Sequence, residues 1–71
     1  AYNNRGITYN ELGNYKDAIS DFTRAIRINP DYSNAYVNRG VAKWYLKLDY
    51  CSDFKKACDL GDCDNYNKFC N

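Results

Sequence analysis

The chain has 71 residues, enough for one small domain. Ten Lys plus Arg against nine Asp plus Glu leave a formal charge of +1, and the basic residues are scattered, so the basic stripe of a nucleic-acid binder is absent. No apolar run approaches the roughly 18 residues that a membrane span requires, and the lack of any His excludes every His-based triad, general base or metal ligand.

In chain order, the first predicted helix runs from about Tyr2 to Leu12 and stops at Gly13, a residue suited to a left-handed helix end. Asn14 is placed to cap a second helix, with Asp17 near its positive end. In that second helix Ala18, Ile19, Phe22, Ala25 and Ile26 fall at helical spacing, and Pro30 closes it. A third helix starts near Ser33 or Asn34 and reaches about Leu46. A fourth covers roughly Tyr50 to Leu60 and is ended by Gly61. A short fifth, from Asp62 to Cys70, puts Cys63, Tyr66, Phe69 and Cys70 on one face. With neither an initiating Met nor a signal peptide, the chain is expected to be cut from a longer protein.

The sequence repeats itself. Ala1-Tyr2-Asn3-Asn4-Arg5-Gly6-Ile7 returns as Ala35-Tyr36-Val37-Asn38-Arg39-Gly40-Val41, an offset of 34 residues. Ser20-Asp21-Phe22-Thr23-Arg24-Ala25 returns as Ser52-Asp53-Phe54-Lys55-Lys56-Ala57 at an offset of 32, so the second unit has lost two residues between its blocks. In its first unit Tyr2, Gly6, Tyr9, Gly13, Tyr15, Ala18, Phe22, Ala25 and Pro30 stand at signature spacing, and the chain resembles the tetratricopeptide repeat family. The resemblance implies an all-α fold of five helices, built as antiparallel helix hairpins stacked into an α-solenoid. Residues 1–34 would form a first repeat, 35–61 a second and contracted one, and 62–71 a C-terminal capping helix, all in one domain. In the second unit Lys43 replaces Tyr9, Lys47 replaces Gly13, and Tyr50 falls where Ala18 sits in the first. A ring cannot fill a slot between closely packed helices, so either an altered crossing angle or a rebuilt turn is expected there.

The family binds peptides in a concave groove lined by the first helix of each repeat. Carried over by position, the groove comprises Asn3, Asn4, Ile7, Asn10 and Glu11 on the first helix and Val37, Asn38, Val41, Trp44 and Tyr45 on the third. Asn both donates and accepts, so it can pair with a peptide backbone without reading its side chains. Ile7, Val37 and Val41 would select side chains, and Trp44 would be the anchor, Trp being common at binding hot spots. Two plainer readings stand beside these: Trp44 and Tyr45 pack on the terminal helix, and Asn3, Asn4 and Asn38 are simply solvated. The carboxylate clamp of some family members is not expected, because Asn3 and Ile7 stand where it needs Lys and Asn, and Val37 and Val41 serve no better.

Arg5 and Arg39 occupy positions where the family usually has an apolar residue. They are either anion hooks or internal partners of Asp21 and Asp53; both units carry both residues, which favours internal pairing.

All four cysteines lie in the last 21 residues, spaced C-x6-C-x4-C-x6-C. The close pairs of a zinc ribbon are missing, so no metal is expected. Cys51 with Cys58, or Cys63 with Cys70, would be separated by roughly 10.5 Å of helical rise, beyond disulfide reach. If the fourth and fifth helices fold back at Leu60–Gly61, Cys58 faces Cys63 and Cys51 faces Cys70. Nested disulfides and free core thiols both fit this symmetry. Bridged cysteines would favour an extracytoplasmic location, periplasmic or secreted.

The expected function is that of a scaffold binding a peptide or partner protein, with no enzymatic activity and no cofactor. The alternative is an architectural segment of a longer array, or a self-association module working through Tyr2, Ile7 and Tyr9 of an uncovered first helix.

Overall fold

A computed structural model describes residues 2–70. Five helices follow one another: α1 (Tyr2–Glu11), α2 (Tyr15–Ile28), α3 (Ser33–Tyr45), α4 (Cys51–Asp59) and α5 (Asp64–Phe69). No strand occurs among the described residues. Each helix packs on the next in sequence, α1 also touches α3, and the arrangement is the expected stack of antiparallel hairpins.

The small residues of the sequence mark where helices cross. A Cβ added at Gly6 would lie 2.6 Å from Cε1 of Phe22, and one added at Gly40 would lie 2.6 Å from Cε1 of Phe54. Each hairpin thus closes by laying a phenylalanine ring on a bare glycine backbone. Phe22, Ala18 and Ala42 form the buried centre, with Ile7, Tyr9, Tyr15 and Ile19 packed against it. Ala35, Tyr36, Phe54 and Ala57 extend the core into the second hairpin.

Three helices end in the same way. Gly13 N–H donates to the Asn10 carbonyl at 3.1 Å and Asn14 N–H to that of Tyr9 at 2.8 Å. Lys47 and Leu48 make the equivalent bonds to Trp44 and Lys43, as do Gly61 and Asp62 to Cys58 and Ala57. This is the Schellman motif, which needs a left-handed residue after the helix. Gly13 supplies it at φ +80° and Gly61 at +110°, whereas Lys47 adopts φ +59° despite its side chain.

Of the two outcomes expected for the contracted unit, the rebuilt turn occurs. The glycine–phenylalanine crossing is retained at Gly40–Phe54. What changes is the start of the helix: α2 has seven residues before Phe22, α4 only three before Phe54, and the link lengthens from three residues (12–14) to five (46–50). Four helical positions are lost and two link positions gained, which accounts for the two-residue contraction. Tyr50 therefore never enters the slot that Ala18 fills. It precedes α4 and sets its ring edge-on to Phe54, with centroids 5.6 Å apart.

The cap expected at Asn14 is not made, and an unforeseen one appears at Asp49. Asn14 stands at the N-cap of α2 but makes no side-chain cap bond. At α4 the cap comes from Asp49, whose carboxylate accepts from Ser52 Oγ at 2.7 Å and from Ser52 N–H at 3.3 Å. On α5 the expected apolar face is only loosely realised: no residue of this helix is buried, and Phe69 is exposed.

Candidate partner-binding face

The asparagines gathered by the repeat form a seam between α1 and α3. Asn3 Nδ2 donates to Tyr32 Oη at 3.1 Å, and Asn38 Nδ2 donates to Asn3 Oδ1 at 3.4 Å. Asn10 Nδ2 donates to the Asn38 backbone carbonyl at 3.4 Å, while its own Oδ1 is buried without a partner. Asn3, Asn10 and Asn38 thus tie the two hairpins together as well as facing outward in part. Asn4 and Glu11 are exposed and Val37 is half-buried.

Ile7 departs from its expected role. Its side chain packs against the Ala18–Phe22–Ala42 centre, so it supports the core and does not stand free to select a ligand side chain. Tyr9 does the same, and Tyr2 lies beside Arg5 and Arg24, whose guanidinium carbons are 5.5 and 5.6 Å from the ring centroid. The apolar surface expected from Tyr2, Ile7 and Tyr9 is therefore largely used within the chain. The large apolar side chains left exposed are Leu12, Ile28, Trp44, Tyr45, Leu48 and Phe69.

Trp44 and Tyr45 lie side by side, each with a second aromatic neighbour. Tyr45 turns back to stack on Tyr15 of α2. Trp44 is 49% exposed, 5.1 Å from the Tyr45 ring and 6.2 Å from that of Phe69 on α5. Its ring lies beside the terminal helix while half its surface stays open. Val41 lies nearby, beside the α5 residues Asn65 and Phe69. A cleft of about 510 Å³ opens where α4 has lost its first turn, lined by Trp44, Tyr45, Lys47, Leu48 and Tyr50. Lys47, Leu48 and Tyr50 were not among the expected groove residues. The signal that could have found them is the pair of apolar residues, Leu48 and Tyr50, stranded in a link that has lost its glycine.

The aspartates of the repeat are buried and each is held by an arginine, Arg39 largely covered and Arg5 half exposed. Arg5 holds Asp21 through two bonds of 2.7 and 2.8 Å, and Arg39 holds Asp53 through two of 3.0 and 2.7 Å. Lys43, in the place of Tyr9, adds a second cation to Asp53 at 3.2 Å, and Arg39 reaches across to Thr23 Oγ1 on α2 at 3.2 Å. Hydrogen bonding from Arg5 holds the buried Asp21 carboxyl below the usual carboxylate range against the cost of burial, helped by the charges of Arg5 and Arg24. The structural reading of these arginines is the one realised.

The four sulfurs are paired as Cys51–Cys70 and Cys58–Cys63, with Cα atoms 5.7 and 3.9 Å apart. This is the nested arrangement, with one bridge near each end of the α4–α5 hairpin. Among the described residues no helix is long and apolar enough to cross a membrane.

Stacked helix hairpins, held by ion pairs to buried aspartates and carrying a half-open aromatic cleft, define a helical-repeat fold. Residues 1–32 match the tetratricopeptide repeat family, so the first hairpin is a repeat of that kind. The chain is 38% identical over 61 residues to the heat shock protein STI1 of Saccharomyces cerevisiae, an alignment covering 83% of this chain and 10% of that protein. It is 33% identical over 60 residues to the protein SGT1 homolog of Oryza sativa subsp. japonica, covering 84% of this chain and 16% of that protein. The chain thus spans only a small part of the curated relatives it matches. No solved structure matches it. A repeat of this kind, together with these relatives, supports a role in protein–protein interaction in general.

Proposed function

We propose that the chain is a non-enzymatic protein-binding module, whose ligand is an extended segment of another protein laid across α1 and α3. In this reading residues 1–34 and 35–61 are two repeats and 62–71 their cap; Ala1 and Asn71 lie outside the described residues. Asn4, Glu11, Val37 and the free surface of the asparagine seam meet the ligand backbone. An apolar ligand side chain seats in the cleft beside Trp44. The observation that carries this is the cleft itself: Trp44 is half exposed at the edge of a space of about 510 Å³ otherwise lined by Tyr45, Lys47, Leu48 and Tyr50. A half-buried aromatic beside such a space is the usual anatomy of a hot spot.

One relative bears the name heat shock protein. A chaperone-carboxylate clamp is nevertheless a poor fit, because Asn3, Ile7, Val37 and Val41 offer no cation and Lys43 is engaged by Asp53. The ligand this face suits is apolar at its anchor. A second reading, an architectural or self-associating segment, draws on Leu12 and Ile28, which are 68% and 72% exposed at the ends of α1 and α2.

A photo-crosslinking side chain placed at position 44 tests the first reading by capturing the partner, after which Trp44→Ala is titrated against it. A loss of affinity of about thirtyfold, or 2 kcal/mol, is expected for a hot spot. Unchanged affinity would move the binding surface elsewhere. Concentration-dependent mass in sedimentation, abolished by Leu12→Ser or Ile28→Ser, would favour the second reading.

A further inference from the structure

α5 has six residues and buries none of them. A helix so short does not hold itself in water, so its place must be fixed from outside. Packing contributes little. Phe69 is 47% exposed and meets Phe54 and Trp44 at centroid distances of 6.1 and 6.2 Å. A cavity of about 210 Å³ stays open between α5 and the helices below it, lined by Val41, Trp44, Tyr50, Phe54, Asn65 and Phe69. What grips α5 at both ends is covalent: its N-cap Cys63 is bonded to Cys58, and its C-cap Cys70 to Cys51.

The contacts that close the two hairpins do not involve α5. Phe22 on Gly6, Phe54 on Gly40, Arg5 with Asp21 and Arg39 with Asp53 all lie within α1–α4. All four cysteines are half-buried, and none is fully enclosed in the core.

We propose that the two disulfides are a redox latch: their reduction releases α5 and uncovers the apolar face of Val41, Trp44 and Phe54, while α1–α4 stay folded. The reductant is a dithiol. Each bridge takes two electrons and two protons from one dithiol, whose own sulfurs join as a disulfide. The S–S bond of the bridge breaks and two cysteine thiols form. Reduction of both bridges leaves thiols at Cys51, Cys58, Cys63 and Cys70, and a disulfide oxidant reverses the change. The latch operates in the free chain and does not depend on the ligand reading above.

The test treats the 71-residue chain with dithiothreitol at neutral pH, with no ligand present, and follows three signals. The far-UV helical signal should fall by no more than the share of α5. Emission from Trp44, the sole tryptophan, should shift to the red. Trypsin should cut after Lys68 at least tenfold faster than in the oxidised chain. The variant with Ser at all four cysteine positions should show the same three signals without reductant. Loss of the whole helical signal on reduction would overturn the proposal, because the bridges would then hold the entire fold. Unchanged Trp44 emission and unchanged cleavage would overturn it equally, because packing alone would then hold α5.

Discussion

Tyr15 and Tyr45 lie face to face, with ring centroids 4.6 Å apart and planes 5° from parallel, joining the first residue of α2 to the last of α3. The stack fastens the second hairpin onto the first at the turn end and fixes the wall of the cleft beside Trp44. A double-mutant cycle of Tyr15→Ala and Tyr45→Ala, read by urea unfolding, should give a coupling energy of about 0.5–1.5 kcal/mol. Strict additivity would mean that the rings touch without contributing.

Gly40 tests the retained helix crossing. Its substitution by Ala puts a methyl group against the Phe54 ring, at a distance real side chains do not tolerate. The gain in helix propensity, about 1 kcal/mol, should be outweighed, leaving a net destabilisation of about 1–2 kcal/mol. Gly6→Ala should behave alike against Phe22, and pairing it with Phe22→Leu should recover part of the loss. A Gly40→Ala chain as stable as the parent would show that the ring simply moves aside.

Lys47 invites the opposite change. A left-handed conformation costs a residue with a side chain roughly 1–2 kcal/mol, and glycine escapes that cost. Lys47→Gly should raise stability by about 0.5–1 kcal/mol once its greater freedom in the unfolded chain is counted. Gly13→Ala, at the matching place in the first hairpin, should lower it by a similar amount. Equilibrium urea midpoints decide both.

Acid should weaken the fold through identifiable carboxylates. The carboxyl of Asp21 is held low first by the hydrogen bond from Arg5, and that of Asp49 first by the hydrogen bond from the Ser52 hydroxyl. Because these folded-state values lie below the unfolded value of about 3.9, their contribution is complete above that pH. It is lost as pH falls through the folded values. Urea midpoints should therefore hold steady from neutrality to about pH 5 and drop below about pH 4. Asp21→Asn should cost about 2 kcal/mol at pH 7 and flatten the acid decline. An acid profile left unchanged by Asp21→Asn would assign the decline to other groups.

How far the sequence revealed all this depended on which force set each feature. The helices were legible because burial imposes a period on residues such as Ala18, Phe22 and Ala25. The Arg5–Asp21 and Arg39–Asp53 pairs were legible because both partners recur together. Lys47 was not, since nothing in a lysine announces a left-handed backbone; the hydrogen bonds of the helix end impose it. The offset between blocks disclosed two missing residues, yet not that α4 loses a whole turn while the link before it grows. Ile7 lay at the margin between the outward face and the buried stripe, and spacing alone could not say which way it turns. Tyr45 was assigned by helical register to the same face as Trp44, but its stacking on Tyr15 across the hairpins could not be read from spacing.

The three matching helix ends bear on how such chains diverge. The stop after α1, α3 and α4 is drawn by the same pair of backbone amides, whether glycine or lysine occupies the turning position. The family match covers residues 1–32, and beyond it the main chain executes the same stop twice more. Side chains at these corners are consequently free to drift at a cost of about a kilocalorie per mole each. The kinship of the second hairpin to the first survives in its peptide groups, where substitution does not reach.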